Sequence, residues 1–243
     1  MPKTDVELET LENEYLEQIY DTLHGDERKM IEWLDSKDKI SADWLSKFNR
    51  VEKLKQNGEL ARGAERVFYT LLSGSRWKPN TAPIGADMFF ENHNAYIHID
   101  IKTSRIDNPS DYKGKVPIGK NQTSYKATAS NRGTPINASP NLPKYYSDGK
   151  PCITYVIQLI YEPKTLKTIA VLLISIPNGQ LYSIYKNDIA NSGKTFNESF
   201  RYTYQKRPTF EKLQAQPFRV RFLYYDASST LTREDITGRH DIT

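Results

Sequence analysis

Apolar positions recur at helical spacing through the first 72 residues, then give way to the alternation and unbroken runs of strands. Leu8, Leu11, Tyr15, Ile19 and Leu23 share one face of a helix predicted over residues 7–23, with Gly25 placed to end it. Met30, Ile31 and Leu34 mark a second helix over 27–34. A third begins at the N-cap Ser41, carries Trp44, Leu45, Phe48, Val51 and Leu54, and stops near Gly58. Leu60, Ala64, Val67, Phe68, Leu71 and Leu72 define a fourth over 59–72. These stripes read as core or dimer contact rather than as a cofactor site. Glu65 lies close to the last of them, and two readings stand for it: an exposed partner of Arg62 or Arg66, or a carboxylate presented to the strands after the helix.

Those strands form a β-hairpin. Residues 86–90 and 96–102 carry the aromatic and β-branched residues that strands favour, around the polar turn Glu91-Asn92-His93-Asn94. A turn centred on His93 and Asn94 puts Asp87 directly opposite Asp100. Alternation then places Asp100 and Lys102 on one face and Ile99 and Ile101 on the other. Two carboxylates and one ammonium converge on a hairpin otherwise built for burial, which is costly unless the carboxylates hold a cation. An acidic residue two before a lysine occurs six times in the chain, but only the Asp100 copy lies in an apolar strand with a second Asp facing it. A solvated ion pair at a sheet edge is the competing reading.

From Ser104 to Lys150 the periodicity disappears. The stretch is rich in Asn, Ser, Thr, Pro, Gly and Lys, and is expected to lack regular structure, being either functional or mobile. Its Asn121, Gln122, Thr123, Ser124 and Lys126 are groups that contact phosphates and base edges. Order returns with two nearly continuous apolar runs, 152–161 and 167–176, joined by a turn at Glu162-Pro163-Lys164-Thr165 and expected to be central strands. A short strand over 181–185, a polar loop over 189–198 and a late strand over 218–225 complete the pattern. The tail from Asp226 shows little pattern.

Charge sharpens the picture. Of 34 basic and 30 acidic residues, the first 35 positions hold 3 and 11. The remainder is therefore strongly basic, which suits a polyanionic partner, with a solubilising excess as the bland alternative. A mean hydropathy of −0.68 is polar, although 16 Tyr, 9 Phe and 3 Trp supply large groups to bury. No apolar run approaches the roughly 20 residues of a membrane span. The acidic start lacks a signal-peptide pattern, so a cytoplasmic, membrane-free protein is expected. Cys152 is the single cysteine, which excludes a disulfide framework and a cysteine zinc site.

Taken in order, these motifs resemble those of the type II restriction endonucleases of the PD-(D/E)xK superfamily, in particular the EcoRV-like branch to which HincII is related. The motif stands as Asp87, then Asp100-Ile101-Lys102-Thr103, with Glu65 matching the carboxylate on the preceding helix. Residues 119–126 (GKNQTSYK) are similar to the segment near the scissile phosphate, and 188–197 (DIANSGKTFN) to the recognition loop. The family's Pro before the first Asp is Ala86 here, and Lys194 stands where an amide is expected.

The resemblance implies an α/β fold: a mixed, twisted sheet flanked by helices, with the catalytic hairpin near one end. It implies Mg²⁺-dependent hydrolysis of double-stranded DNA at a short palindromic site by a homodimer of a restriction–modification system. Asp87, Asp100, the Ile101 carbonyl and Glu65 would hold metal, and Lys102 would act on the phosphate. Asn121, Gln122, Thr123, Ser124, Lys126, Ser192, Gly193, Lys194, Thr195 and Asn197 would contact DNA. The domains expected are a helical segment over 1–58, the nuclease over 59–225 and a tail over 226–243. A repair, resolvase or transposon-end nuclease of the same superfamily, or an inactive DNA-binding module, are the alternatives.

Overall fold

The computed structural model describes residues 2–36, 53–73, 78–80, 85–131, 134–194, 198–204, 219–239 and 242. Helix α1 (Asp5–Gly25) opens with a reciprocal cap, in which the Thr4 hydroxyl accepts from the Glu7 N–H and the Glu7 carboxylate accepts from the Thr4 N–H. It is followed by α2 (Glu27–Asp35) and α3 (Lys53–Ser73). The expected helix beginning at Ser41 lies outside the described residues. Its expected end near Gly58 is not a break, because α3 runs through that glycine. A helical glycine costs about 1 kcal/mol relative to alanine. Burial of Leu60, Ala64, Val67, Phe68, Leu71 and Leu72 on the next turns of the helix outweighs it.

The main sheet has six strands: β1 (Lys78–Pro79), β2 (Met88–Glu91), β3 (Tyr96–Arg105), β7 (Cys152–Tyr161), β8 (Thr168–Ile176) and β11 (Val220–Tyr225), in that spatial order. Among the described residues only the β3–β7 pairing in this sheet is parallel. Every residue of β7 and β8 is buried, as the unbroken apolar runs require of central strands. One face packs Ile97, Ile99, Ile101, Ile153, Tyr155 and Ile157 against α1, α2 and α3. The expected α/β architecture, a mixed sheet flanked by helices, is borne out.

The other face carries what the sequence hid. Residues 104–150 are not structureless: they contain β4 (Lys115–Gly119) and the hairpin of β5 (Ala127–Asn131) and β6 (Thr134–Ala138). Buried Val116 and Ile118 alternate with the partly exposed Lys115, Pro117 and Gly119, too short a signal to stand out in so long a polar stretch. β9 (Ala190–Ser192), within the expected polar loop, and β10 (Ser199–Thr203) join β4 in a second, three-stranded sheet. The expected strand over 181–185 is instead a 3-10 turn (Gly179–Leu181) running into one helical turn, α4 (Tyr182–Tyr185). Asn178 sets it, its side-chain oxygen accepting from the Gln180 N–H at 2.8 Å. The tail is ordered in part: α5 (Arg233–Thr237) has its own capping box and buries Ile236.

Residues 5–35 share the core with the sheet. Glu9 and Glu12, one helical turn apart on α1, are buried against Arg219, which is fully buried just before β11. Arg219 reaches Glu12 at 2.6 Å, Glu9 at 3.1 Å and the Ser175 hydroxyl at 3.0 Å. The Tyr185 hydroxyl donates to Glu9, and the Tyr155 hydroxyl donates to the Glu12 carbonyl at 2.6 Å. Burial pushes the Glu12 carboxyl up, against the Arg219 guanidinium that pulls it down.

Candidate active site

The hairpin forms in the expected register. Met88 faces Ile99 and Phe89 faces His98, so Asp87, one residue ahead of β2, comes up against Asp100. The two carboxyls lie within hydrogen-bonding reach, and the Ile101 N–H donates to Asp87 Oδ2 at 2.7 Å. Two residues before Asp87, Gly85 lets the chain pass close against Asn121. Its φ of +104° is left-handed, and a Cβ there would stand 2.3 Å from the Asn121 carbonyl oxygen.

Asp100 is 2% exposed and lies beside Val156 on β7. Its Oδ1 accepts from the Gln122 side-chain amide at 2.7 Å. Its Oδ2, also buried, forms an ion pair with the Lys102 ammonium. Burial pushes the Asp100 carboxyl up to about 7; Lys102 pulls against that, and Asp87 adds to it. The Lys102 side chain keeps 21% of its exposure, enough for the ammonium to be reached from outside. Glu65 on α3 shares a cleft of about 260 Å³ with Asp87, Arg66 and Tyr69. Burial raises its carboxyl, with Asp87 adding to the effect.

This donor set fits a hard divalent cation. Two oxygen ligands converge, and one is destabilised as a buried anion. Among the described residues no three Asp, Glu, His or Cys side chains form a metal cage, so Asp87 and Asp100 stand as a pair and Glu65 does not complete a cluster with them. Magnesium is commonly held by one or two carboxylates, with waters and substrate phosphates filling the shell. His98 lies two residues before Asp100 on the same face of β3, with the Tyr146 hydroxyl against its Nε2. It packs against Phe89 and Tyr146, and burial lowers it to about 4.

The DNA-contact candidates divide. Thr123 and Ser124 are buried and committed inward, accepting from the Tyr125 and Gly179 N–H groups at 3.0 and 3.1 Å. Gln122 is turned to Asp100, while Lys126 is exposed. Ser192 and Gly193 lie at the β9 end, partly exposed. The Lys194 ammonium pairs with Asp111, which also takes Arg201 at 3.2 Å. Thr195 and Asn197 lie outside the described residues. The roles of Gln122, Asp111 and Arg219 were missed in the sequence, since each depends on a partner at least 22 residues away.

A mixed sheet with two facing carboxylates and a lysine on the β2–β3 hairpin, near one end of the strand order, matches the fold of restriction endonucleases. The crystal structure of the restriction endonuclease BglI bound to its DNA recognition sequence superposes with a TM-score of 0.66 at 15% identity, covering 88% of this chain and 90% of that one. Tetrameric SfiI bound to cognate DNA gives 0.65 at 17% identity, covering 93% of this chain and 88% of that one. At such identities the likeness is one of fold. The sequence itself matches the N-terminal domain of the type II restriction enzyme MwoI over residues 5–165 and its central domain over 168–225, and the chain belongs to that family. It is a type II restriction endonuclease, a site-specific DNA nuclease. No curated protein matches the sequence. Among the described residues no helix is long and apolar enough to cross a membrane.

Proposed function

We propose that this endonuclease hydrolyses double-stranded DNA in a Mg²⁺-dependent reaction at a short palindromic site, as a homodimer of the EcoRV-like branch. The observation that carries the reading is the buried Asp100 facing Asp87, with Lys102 on the same patch. Asp87, Asp100 and the Ile101 carbonyl would hold the cation. When bound, it supplies Lewis-acid polarisation of the phosphate and a more acidic water. The Ile101 N–H fixes Asp87, and Lys102 offsets the charge that develops on phosphate. Glu65 would act across the cleft as an outer carboxylate. A two-fold dimer presents two such sites to the two strands, and its symmetry calls for a palindrome.

The test is a plasmid digest. Discrete fragments should form in Mg²⁺ and none in EDTA. A smear or structure-selective nicking would point to another nuclease activity, and no cutting to a binding module. In the same assay Lys102→Ala should slow cleavage by roughly a hundredfold or more, because a positioned ammonium acts on the transition state. DNA affinity should change far less. An equal loss of affinity would make Lys102 an ordinary phosphate contact.

We propose base reading for Lys194. Its side chain is 62% exposed, and Asp111, which holds it, keeps Arg201 as a second cation partner, so the ammonium can turn to a base edge without leaving that carboxylate unpaired. Lys194→Ala should cost about 1–3 kcal/mol at the cognate site and relax preference at one position of each half-site. Binding to single-base variants in Ca²⁺, across a salt series, checks this. A uniform loss with a salt slope lower by about one would assign Lys194 to the backbone and move reading to residues 120–126.

A further inference from the structure

Gln122 belongs by composition with DNA-contacting amides, yet both ends of its side chain are engaged within the protein. Its side-chain nitrogen donates to Asp100 Oδ1 at 2.7 Å, and its side-chain oxygen accepts from the Gly119 N–H at 2.7 Å. Its own N–H donates to the Gly119 carbonyl at 3.0 Å, closing a tight turn. An amide has one accepting end and one donating end. The Gly119 N–H can be met only by the oxygen, so the nitrogen is left facing Asp100. The turn is also pressed onto the other carboxylate strand, since Gly85, two residues before Asp87, abuts the Asn121 carbonyl.

We propose that Gln122 is a positioning residue for Asp100. It fixes the plane of that carboxylate, so that Oδ2 is presented to the patch shared by Asp87 and Lys102. A free aspartate side chain turns about its last bond, and a donor on one oxygen removes that freedom. Glutamine suits the role because it is a neutral donor whose own orientation is set by the backbone. The inference rests on Asp100 being a metal ligand, and the experiment separates the two.

The measurement is Mn²⁺ binding, by electron paramagnetic resonance, to the protein on a cognate duplex with an uncleavable linkage. Groups that orient a metal ligand are typically worth 10–100-fold in metal affinity. Gln122→Met should weaken Mn²⁺ binding by roughly that factor, and raise in parallel the Mg²⁺ concentration needed for half-maximal cleavage. DNA affinity without metal, and preference among single-base variants, should stay within about twofold, since no DNA contact is removed. Gln122→Leu is the second donorless variant should the first melt early. A fall in DNA affinity or relaxed preference with unchanged Mn²⁺ affinity would make Gln122 a DNA contact and overturn the proposal. No change in either would make it packing alone, and overturn it equally. Asp100→Ala is the control: if it keeps Mn²⁺ binding, the ligand reading fails. If it loses Mn²⁺ while both Gln122 variants retain it, only the positioning role fails.

Discussion

Replacing Asp100 by alanine is expected to abolish cleavage and leave a folded protein that still binds DNA. The carboxylate sits where its cost is high: buried beside Val156 and facing Asp87, with Lys102 and the Gln122 amide to offset it. A residue retained at that cost should supply several kcal/mol to the reaction, roughly a thousandfold or more in rate. The same burial has a signature in stability. Asp100 titrates at about 7 in the folded chain against an ordinary value of 3.8. A raised pKa contributes stability below about pH 4 that is lost as pH rises through 7. Metal-free wild type is therefore penalised at pH 8, and Asp100→Asn should melt higher there in EDTA. The gain should be about 2–4 °C for each kcal/mol relieved, and should vanish toward pH 4. Wild-type cleavage rates in Asp100→Ala would remove the site assignment, and a lower melting temperature for Asp100→Asn at pH 8 would remove the account of its charge.

Arg219→Met should be the most damaging single change to stability. It leaves Glu9 and Glu12 buried together without the guanidinium that spans them. Breaking a buried pair from one side costs about 3–5 kcal/mol, because an uncompensated charge remains. For a chain of this length that is a fall of roughly 6–20 °C in melting temperature. Adding Glu9→Gln and Glu12→Gln should recover much of it, since the charges go while the shapes stay. Calorimetry of the single and triple variants checks both statements. A single variant within about 2 °C of wild type would show that water reaches the cluster.

The contrast between these two sites explains what could be read from the sequence. Asp87, Asp100 and Lys102 were legible because a hairpin is local: turn length and two-residue alternation fix who faces whom within it. The runs at 152–161 and 167–176 were legible because central strands need apolar side chains on both faces. Glu9 and Glu12 are two of the 11 acidic residues in the first 35, and nothing local marks them as buried, since their partner lies more than 200 residues on. The second sheet was lost for a related reason. β4 shares it with β10 and β9, from near residue 200, and its own alternation spans two apolar residues. Gln122 shows the limit from the other side: its chemistry was recognised, but not the direction it faces.

The link from Glu9 to Arg219 also bears on how the protein is made. During synthesis, at about 5–20 residues per second, α1 leaves the ribosome some 10 to 40 seconds before its guanidinium partner exists. Until then its buried face carries two carboxylates with nothing to neutralise them, so docking onto a partial sheet is opposed. β3 and β7 can meet earlier, but β11, which closes the sheet at its far edge, arrives only after Arg219. The nuclease therefore completes its core late and as a whole, and a nascent chain cut short before residue 219 should be a target for degradation rather than a loose DNA-cutting fragment.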